Sequence, residues 1–425
     1  MLSNTRSDDR PLDDQIDALF ALDPDLIANP YPLYERMRAE APVYRHADKV
    51  MVARYEDVRT VLTSPLVHQG LAAKGSRFRN ATSKHGEPEQ RQMAEIFGFF
   101  EKRIGGANGE HHTRLRRLAS RAFTPRMVAR MEERITAIAE ELIAPISRTD
   151  TVEFIDAYAF HLPLIVICEM LDISPDDRDD LRRWANSLGI FVGADWSDAA
   201  IIHEAHDAIF NLKNYLGAVI NERRGGSTSD LLGALIAAES DGEYFTEEEL
   251  IAMIFQFVFA GHETSTMFLG NCLVSLLGDY RADWAAFGTN PALVMAATEE
   301  LLRYDGPAHN LDKLAAADFV IGGVQVREGD TINIMIASAN RDEAQFPRGD
   351  CFEVDRPTPI HLTLALGPHY CLGAALARME AQVSLKVLSR RFPEMRLATD
   401  TIEWRPTHMN RGPETLPVVL GPERF

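Results

Sequence analysis

Most of the chain repeats apolar residues with the period of an α-helix, and the clearest case begins at Thr246. Thr246 and Glu249 have the spacing of a capping box, and the helical pattern that follows continues to about Gly278. At about 1.5 Å per residue, such a helix is on the order of 45 Å long and can cross a whole domain. Because Ile251–Ala260 is apolar on nearly every side, the sequence predicts a long, buried central helix.

The remaining pattern predicts a second helix, short strands and one irregular stretch. The helix is expected from Asn290-Pro291, an N-cap followed by proline, to the residue before Gly306. Strands are expected in a hairpin at Val43–Val52 and again within Phe319–Ile336. The segment Gln69–Asn108 is interpreted as a long loop, either functional or disordered. The expected fold class is mainly α with small antiparallel β-sheets (α+β).

Composition narrows the classes of function. A chain of 425 residues can form two or three domains, but no linker separates two regions, so a single large domain is expected. With 44 basic and 63 acidic residues the formal charge is −19, which argues against nucleic acids and anionic membranes as partners. The apolar runs are too short to cross a membrane, and the four cysteines form no CxxC pair. We therefore expect a soluble, cytoplasmic protein with reduced thiols.

The strongest chemical signal surrounds Cys371. Gly367 and Pro368 predict a turn immediately before it, and a helix rich in small residues follows from Leu372. Free backbone N–H groups at a helix N-terminus favour a thiolate. A lone cysteine is more often an inert buried thiol, so the flanking pattern carries the functional interpretation.

The stretch from His361 to Arg378 resembles the heme-binding loop of the cytochrome P450 family. Three further segments match motifs of that family in order and spacing: the oxygen-activation motif at Ala260–Ser265, the ExxR pair at Glu300 and Arg303, and the meander around Ala339–Arg356. Upstream, His112–Arg116 matches the helix that contacts the heme propionates. The resemblance runs from about Asn29 to the C-terminus. It implies a cytochrome P450 domain over residues 29–425, preceded by a loosely ordered extension over residues 1–28.

The resemblance implies a heme-thiolate monooxygenase that binds heme b through Cys371 and inserts one atom of O2 into a small organic substrate. It assigns roles to three groups of residues. The expected catalytic residues are Ala260, Gly261, Glu263 and Thr264. The expected heme-contacting residues are His112, Arg116, Lys313, Leu364, His369 and Gly373. The expected structural ion-pair set is Glu300, Arg303 and Arg356.

The adjacent acid and alcohol, Glu263 and Thr264, are expected to relay protons. Cleavage of the O–O bond needs two protons, and an acid followed by a hydroxyl in a buried helix can relay them. Gly261 and the Thr264 hydroxyl can also loosen the local helix and admit water. The alternative is that Thr264 bonds a backbone carbonyl while Glu263 points to solvent.

Three residues, at two places in the chain, depart from the family pattern. Leu364-Ala365 stands where the family usually has Phe-Gly, which affects the packing of the ligand loop and the redox potential rather than ligation. Lys313 stands where the family often has an arginine, so a propionate would meet a point charge rather than a bidentate fork.

Substrate contacts are expected on two elements. Gln256 shares the helix face of Thr264 and Ala260, with Phe259 beside it. By resemblance, Ala308, His309, Asn310 and Met409 also line the substrate cavity. These residues suggest a substrate with hydrogen-bonding groups, such as a natural-product intermediate. An equally weighted alternative is that Gln256 bonds a neighbouring backbone group and His309 faces solvent.

No flavin or iron–sulfur motif is present, so electrons are expected from a separate protein. The resemblance implies that this donor is a ferredoxin with its reductase. A basic patch is the candidate docking surface for an acidic ferredoxin on a protein expected to be a monomer, and its residues are Arg114, Arg117, Arg126, Arg378 and Lys386. Two alternatives remain: a peroxygenase driven by hydrogen peroxide, and a non-catalytic heme-thiolate protein that senses a ligand or gas. A zinc site at His111-His112 lacks a third ligand at suitable spacing.

Overall fold

The computed structural model describes residues 10–69, 81–146, 151–194, 196–226, 230–240, 242–278, 280, 284–357 and 360–423. The α-helices in chain order are α1 Leu12–Phe20, α2 Pro24–Ala28, α3 Tyr31–Glu40, α4 Tyr55–Thr63, α5 Glu87–Glu101, α6 Gly109–Ala122, α7 Pro125–Ala129, α8 Glu132–Ile146, α9 His161–Met170, α10 Arg178–Gly193, α11 Ala199–Arg223, α12 Leu231–Ile236, α13 Glu247–Leu277, α14 Trp284–Phe287, α15 Pro291–Asp305, α16 Ile336–Ala339 and α17 Ala374–Arg391. In the ranges given above, no helix is both long and apolar enough to cross a membrane.

Short strands lie to one side of the helices. They are β1 Val43–His46, β2 Lys49–Val52, β3 Val67–His68, β4 Thr151–Glu153, β5 Glu239–Ser240, β6 Glu243–Tyr244, β7 Asn310–Ala315, β8 Phe319–Ile321, β9 Val324–Val326, β10 Thr331–Met335, β11 Arg396–Leu397, β12 Glu403–Trp404, β13 Pro413–Thr415 and β14 Pro417–Val419. The largest sheet has the order β1-β2-β10-β7-β3 and is antiparallel except for the β2–β10 pair. The expected class, mainly α with small antiparallel sheets, is confirmed.

The central helix α13 has the predicted ends. Thr246 caps it through a complete capping box with Glu249, and Gly278 follows its last residue. Most of its side chains are buried, so the helix organises the main apolar core as the sequence predicts. The helix α15 also begins at the predicted place, with the Asn290 side chain accepting from the Leu293 N–H.

The expectation that residues 1–28 are loosely ordered is corrected for residues 10–28. This segment forms α1 and α2, which bury Ile16 and Leu19 against Met51 of β2 and Met335 of β10. Burial of these apolar side chains offsets the conformational entropy that ordering the segment costs.

The long loop expected at Gln69–Asn108 is also corrected. Residues 87–101 form the helix α5, which buries Met93, Ile96, Phe97 and Phe100 on one face. Their spacing of three and four residues is the helical one, and the polar stretch before it obscured the pattern. Residues 70–80 of the expected loop lie outside the described ranges.

A buried ion-pair set joins α15 to the chain around Arg356. Glu300 accepts two bonds from Arg303, at 2.7 and 2.8 Å, and one from Arg356 at 3.0 Å. Arg303 also donates to the carbonyls of Asn340 and Gly349. Each of these five hydrogen bonds is made by one of the three residues expected to be structural. The side chains of Glu300, Arg303 and Arg356 thus form one buried cluster.

We predict that Glu300→Gln lowers the free energy of unfolding by about 3–5 kcal/mol, because it leaves the buried Arg303 guanidinium without a counter-charge and leaves Arg356 with Glu353 alone. The matched control is Glu40→Gln, which breaks the exposed Arg36–Glu40 pair and should cost at most about 1 kcal/mol. Urea denaturation measures both variants. Equal losses in the two variants would contradict the structural role of Glu300.

The loop before Cys371 contains a strained residue. Ala365 has a φ of 57°, and Gly367 has a φ of 69°. A left-handed conformation costs a residue with a Cβ about 1–2 kcal/mol, whereas glycine adopts it freely. The departure from the family's glycine at position 365 therefore stores strain in the loop that precedes Cys371.

We predict that Ala365→Gly raises the free energy of unfolding by about 0.5–1 kcal/mol, since relief of strain exceeds the added entropy of the unfolded chain. Ala218→Gly, at an exposed position within α11, is the control and should lower it by about 1 kcal/mol. Both values come from denaturant titration of the protein with its cofactor bound. A loss of stability in Ala365→Gly would show that the left-handed loop is not strained.

Candidate active site

A large cavity separates the middle of α13 from the loop and helix that contain Cys371. One wall is formed by Ala260, Gly261 and Thr264, and the opposite wall by Cys371 and Gly373. Most of the remaining lining is apolar, including Phe123, Ile167, Phe257, Phe268, Leu302, Leu364 and Leu376. Three segments that are far apart in the sequence, namely the helix with His112 and Arg116, the middle of α13 and the loop around Cys371, therefore meet at one mostly apolar cavity.

Cys371 lies at the entry to α17, as the sequence predicts. Its backbone N–H donates to the Leu364 carbonyl at 2.9 Å, which closes the loop around the sulfur. Burial raises the pKa of the Cys371 thiol, while the backbone N–H of Gly373 and the charge of Arg116 oppose that rise. A buried sulfur with these neighbours is suited to binding a metal cation, which favours the thiolate.

Four basic side chains gather at one edge of the cavity. His112, Arg116 and His369 line it, and the rings of His112 and His369 lie 3.9 Å apart between centroids. Arg116 donates to the Tyr370 carbonyl at 2.6 Å, and the Lys313 ammonium donates to the Gln69 side chain. Within the described ranges, none of the four forms an ion pair with a carboxylate.

The protonation of these groups leaves a small positive charge. Burial, reinforced by His112 and Lys313, lowers the pKa of His369 to about 3. Burial and the nearby charge of Arg116 also lower the pKa of His112. Burial lowers the pKa of Lys313 to about 8, so Lys313 and Arg116 remain charged at neutral pH. Two cations beside two neutral imidazoles suit a ligand that carries two carboxylates.

The small residues on the walls also fit a flat cofactor. A Cβ added at Gly261 would meet no atom within 4 Å, and one added at Gly373 would meet only the Cys371 sulfur, at 3.9 Å. Contacts within the protein therefore do not require these glycines. The buried Nε2 atom of His112 has no hydrogen-bond partner within the described ranges. These observations fit heme b, with its propionates at the basic edge.

Thr264 and Glu263 take different directions. The Thr264 hydroxyl lies at the cavity and donates to the Ala260 carbonyl at 2.6 Å. Glu263 lies outside the cavity and pairs with Arg405 at 3.2 Å. The helix α13 continues without interruption through Gly261, so the expected local opening is not present. This is the arrangement of the alternative interpretation, in which the hydroxyl satisfies a backbone carbonyl.

Glu380 is a cavity residue that the sequence analysis did not identify. It lies on α17, and its Oε2 atom accepts from the Ser265 hydroxyl at 2.7 Å. Burial raises the pKa of Glu380 to about 8, so this carboxyl holds a proton at neutral pH. Position nine after Cys371 carries no sequence signal of its own, because only tertiary packing brings it to Ser265.

Two of the predicted substrate residues line the cavity, namely Gln256 and Ala308. The buried amide oxygen of Gln256 has no hydrogen-bond partner in the described part of the chain. The alternative that Gln256 bonds a neighbouring backbone group is therefore not what the structure contains. Its polar atom is available to a ligand in an otherwise apolar space.

The other predicted substrate residues lie elsewhere, which is a correction. The Phe259 ring packs against Gly189 of α10. The backbone N–H groups of His309 and Asn310 both donate to the Met409 carbonyl, and their side chains turn toward the Tyr34 hydroxyl. Because this backbone pairing fixes the start of β7, His309, Asn310 and Met409 fill a polar cluster beside α3 and do not line the cavity.

The predicted basic patch is partly neutralised. Arg114 pairs with Glu249, Arg117 with Glu243 and Arg378 with Glu299. Among the described residues from α6 to the end of α7 and on α17, four exposed basic residues have no ion pair, namely Arg121, Arg126, Arg130 and Lys386. Arg121 lies on α6, Arg126 and Arg130 lie on α7 and at its end, and Lys386 lies on α17. The basic residues without an ion pair are therefore centred closer to α7 than the predicted patch was.

Comparison with known proteins gives consistent results. The family model "Cytochrome P450" matches residues 290–407. Cytochrome P450 107B1 of Saccharopolyspora erythraea is 35% identical over 419 residues, covering 96% of this chain and 99% of the relative. Cytochrome P450 monooxygenase PikC of Streptomyces venezuelae is 34% identical, with 94% and 93% covered. The solved Bacillus subtilis cytochrome P450 PksS has a TM-score of 0.80 at 30% identity, covering 93% of this chain and 98% of that one.

These similarities extend over nearly the whole chain, and they agree with a cavity that fits heme b between Cys371 and α13. Members of this family bind heme b through a cysteine thiolate and use small-molecule substrates, O2 and redox partners. This chain belongs to the cytochrome P450 family and is an oxidoreductase of the monooxygenase type.

Proposed function

We propose that this protein inserts one oxygen atom of O2 into an apolar substrate that carries at least one hydrogen-bonding group. The observation that carries the proposal is the pair of polar groups on the α13 wall. Thr264 places a hydroxyl opposite Cys371, and Gln256 presents a partnerless amide oxygen two helical turns earlier. The first suits proton delivery, and the second suits a donor group of the substrate.

In this proposal, one group of side chains binds the cofactor and Thr264 transfers protons. Cys371 would bind the iron, and His112, Arg116, Lys313 and His369 would hold the propionates. When bound, heme supplies the binding and activation of O2. The apolar walls exclude bulk water, so protons can reach this space only through side chains or a few ordered waters. In the proposal, the Thr264 hydroxyl rotates away from the Ala260 carbonyl and donates into the cavity.

Glu263 is proposed to supply the Thr264 hydroxyl with protons taken from solvent. Its side chain is 42% exposed and its partner Arg405 also pairs with Glu414, at 3.4 Å. Because Arg405 retains a second carboxylate, Glu263 can leave it without stranding a buried charge. Glu263 then exchanges protons with water and passes them to its neighbour Thr264.

The proton path also separates the rival functions. A peroxygenase receives the protons and electrons with hydrogen peroxide and does not require Thr264. A sensor of gas or ligand needs no proton delivery at all. The hydroxyl on the cavity wall therefore favours the O2-dependent monooxygenase over both.

We predict that Thr264→Ala uncouples the enzyme. Electrons should still be consumed, but product formed per electron should fall by about tenfold or more, with hydrogen peroxide released instead. The matched control is Thr266→Ala, two residues after Thr264. It removes a hydroxyl that lies outside the cavity and donates to the His262 carbonyl. Product and peroxide are measured with a surrogate substrate chosen by spectral titration.

Two results would contradict the proposed role of Thr264. One is unchanged coupling in Thr264→Ala. The other is wild-type turnover that is faster with hydrogen peroxide than with a reductase system and insensitive to Thr264→Ala, which would identify a peroxygenase.

The names of two relatives bear on the substrate class. PksS is a polyketide biosynthesis cytochrome P450, and another relative is a vitamin D(3) 25-hydroxylase. Both names refer to large, mostly apolar molecules with oxygen-containing groups. An apolar cavity with one free amide oxygen suits a natural-product intermediate of that kind.

We further propose that a ferredoxin, supplied with electrons by its reductase, docks on the exposed basic residues of α7 and α17. Arg126 and Arg130 lie at α7, and Lys386 lies on the helix that follows Cys371. An acidic ferredoxin would be steered to this surface although the whole chain is acidic.

We predict that the double variant Arg126→Glu/Lys386→Glu lowers ferredoxin-driven kcat/KM by about tenfold at low ionic strength, and that high salt reduces the difference by screening the charges. Reduction by dithionite should not change. Arg91→Glu, at an exposed position on α5, is the control for charge reversal. A salt-independent effect, or none, would contradict this docking surface.

A further inference from the structure

A second, much smaller pocket lies between the N-terminal helices and the C-terminal segment. Its volume is about 10 Å³, close to the space that one water molecule or a monatomic ion needs. Leu19 of α1 and Ile27 of α2 form part of its apolar wall. Among the described residues, no acidic side chain lines this pocket, whereas four basic residues do, namely His309, Arg405, His408 and Arg411.

His309, which lines the pocket, has a hydrogen-bond donor without an acceptor. The residue is 3% exposed, and its Nε2 atom has no hydrogen-bond partner in the described part of the chain. The Asn310 amide donates to the Tyr34 hydroxyl at 3.0 Å, so that hydroxyl is free to donate in turn to Nδ1 of His309, at 3.4 Å. This arrangement leaves the ring proton on Nε2. Because buried donors are normally satisfied, the Nε2–H group of His309 calls for an acceptor.

Arg411 lines the same pocket and is held in one position. Its two terminal nitrogens donate to the carbonyls of Ile27 and Ala28, at 2.7 and 2.9 Å. Its guanidinium carbon lies 3.4 Å from the ring centroid of Trp404. The buried Nε atom lies 3.4 Å from Asp305 but forms no hydrogen bond within the described ranges. Arg411 therefore ties α2 to the C-terminal segment and retains an unused N–H donor.

The buried charges beside the pocket do not balance. Asp305 pairs with Arg411 and also accepts from the Tyr31 hydroxyl at 2.6 Å. Arg341 is 8% exposed and lies 3.3 Å from the Tyr31 ring centroid, and among the described residues it forms no ion pair of its own. Burial, followed by the charges of Arg411 and Arg341, lowers the pKa of His309 well below its usual value, so both positive charges act at the pocket. Two buried arginines thus share one carboxylate.

A single water molecule would fill the pocket without correcting this imbalance. It would accept from the Nε2–H group of His309, but it brings no negative charge. Arg405 does not supply the missing charge either, because its partners Glu263 and Glu414 are about half exposed and screened by solvent. An anion provides both the acceptor and the charge, and the apolar wall strengthens its attraction to the arginines.

We propose that this pocket binds one small monovalent anion of the size of chloride, held by His309 and Arg411. The anion accepts a hydrogen bond from the Nε2–H group of His309 and supplies the second negative charge that Arg341 and Arg411 lack. The size of the pocket excludes polyatomic anions as large as sulfate or a carboxylic acid with a chain. Because Arg411 also holds the carbonyls at the end of α2, the bound anion would fasten residues 10–28 to the rest of the domain.

The test compares sodium chloride and sodium bromide with sodium gluconate on the heme-loaded protein, at equal ionic strength and near neutral pH. Gluconate is too large for the pocket, so it serves as the reference anion. We expect about 100 mM chloride or bromide to raise Tm by about 1–3 °C over gluconate, because a ligand that binds only the folded state stabilises it. Crystals grown in bromide should show anomalous density beside His309 and Arg411. The heme absorption band should not move, which separates this site from the heme cavity.

Variants assign the halide effect to the pocket. His309→Leu removes the N–H donor but no charge, and it should reduce the difference in Tm between bromide and gluconate to less than about 0.5 °C. His309→Phe keeps a ring in the same place and serves if His309→Leu does not fold. The matched control is His203→Leu, at an exposed position on α11, which should keep the whole difference.

Two outcomes overturn the proposal. One is an equal Tm in bromide and gluconate together with no anomalous density in the pocket, which would mean that the pocket holds water only. The other is a halide effect that persists in His309→Leu and His309→Phe, which would place the anion elsewhere on the protein. The anion site is independent of the proposed monooxygenase function, which depends on coupling in Thr264→Ala.

Discussion

Burial opposes ionisation of the Cys371 thiol, and a heme-thiolate protein needs that sulfur as an anion. The fold offsets the cost with positive charge and oriented backbone groups: the Gly373 N–H, the N-terminal end of α17 and the Arg116 guanidinium all act on the sulfur. The Cys371 N–H is engaged by the Leu364 carbonyl, which fixes the loop around the sulfur. The cofactor's iron would supply the remaining positive charge, so loop, helix and heme depend on one another.

Positive charge also offsets the burial of negative charge at the cavity edge where the heme propionates would lie. Propionates are anions that would have to be placed at the edge of an apolar cavity, where Arg116 and Lys313 would provide the matching charges, while burial lowers the pKa values of His112 and His369. Lys313 reaches this edge from β7, and Arg116 reaches it from α6. The Glu300 cluster anchors α15 to the chain around Arg356 before the ligand loop. Strain at Ala365 is tolerated because surrounding contacts determine the loop.

Much of the fold was predictable because its signals are local. The capping box at Thr246 and the N-cap at Asn290 fixed two helix starts, since a side chain bonding to a nearby N–H needs no distant partner. The helix α5 was missed because its apolar face follows a polar, basic stretch that hides the period. The order of residues 10–28 was missed for a different reason: α1 is stable only against β2 and β10, which are distant in sequence.

By itself, the sequence determined the family, the proposed iron ligand Cys371, the Glu300–Arg303 ion pair and the location of Thr264 on a buried helix, because each rests on a motif with characteristic spacing. Only the tertiary structure decided where side chains point. Glu263 turns to Arg405, His309 turns to Tyr34, and Glu380 reaches Ser265. Arg103 likewise becomes buried near the Phe255 ring only when the end of α5 packs beside α13. These directions depend on packing between elements far apart in the chain, and no local pattern records them.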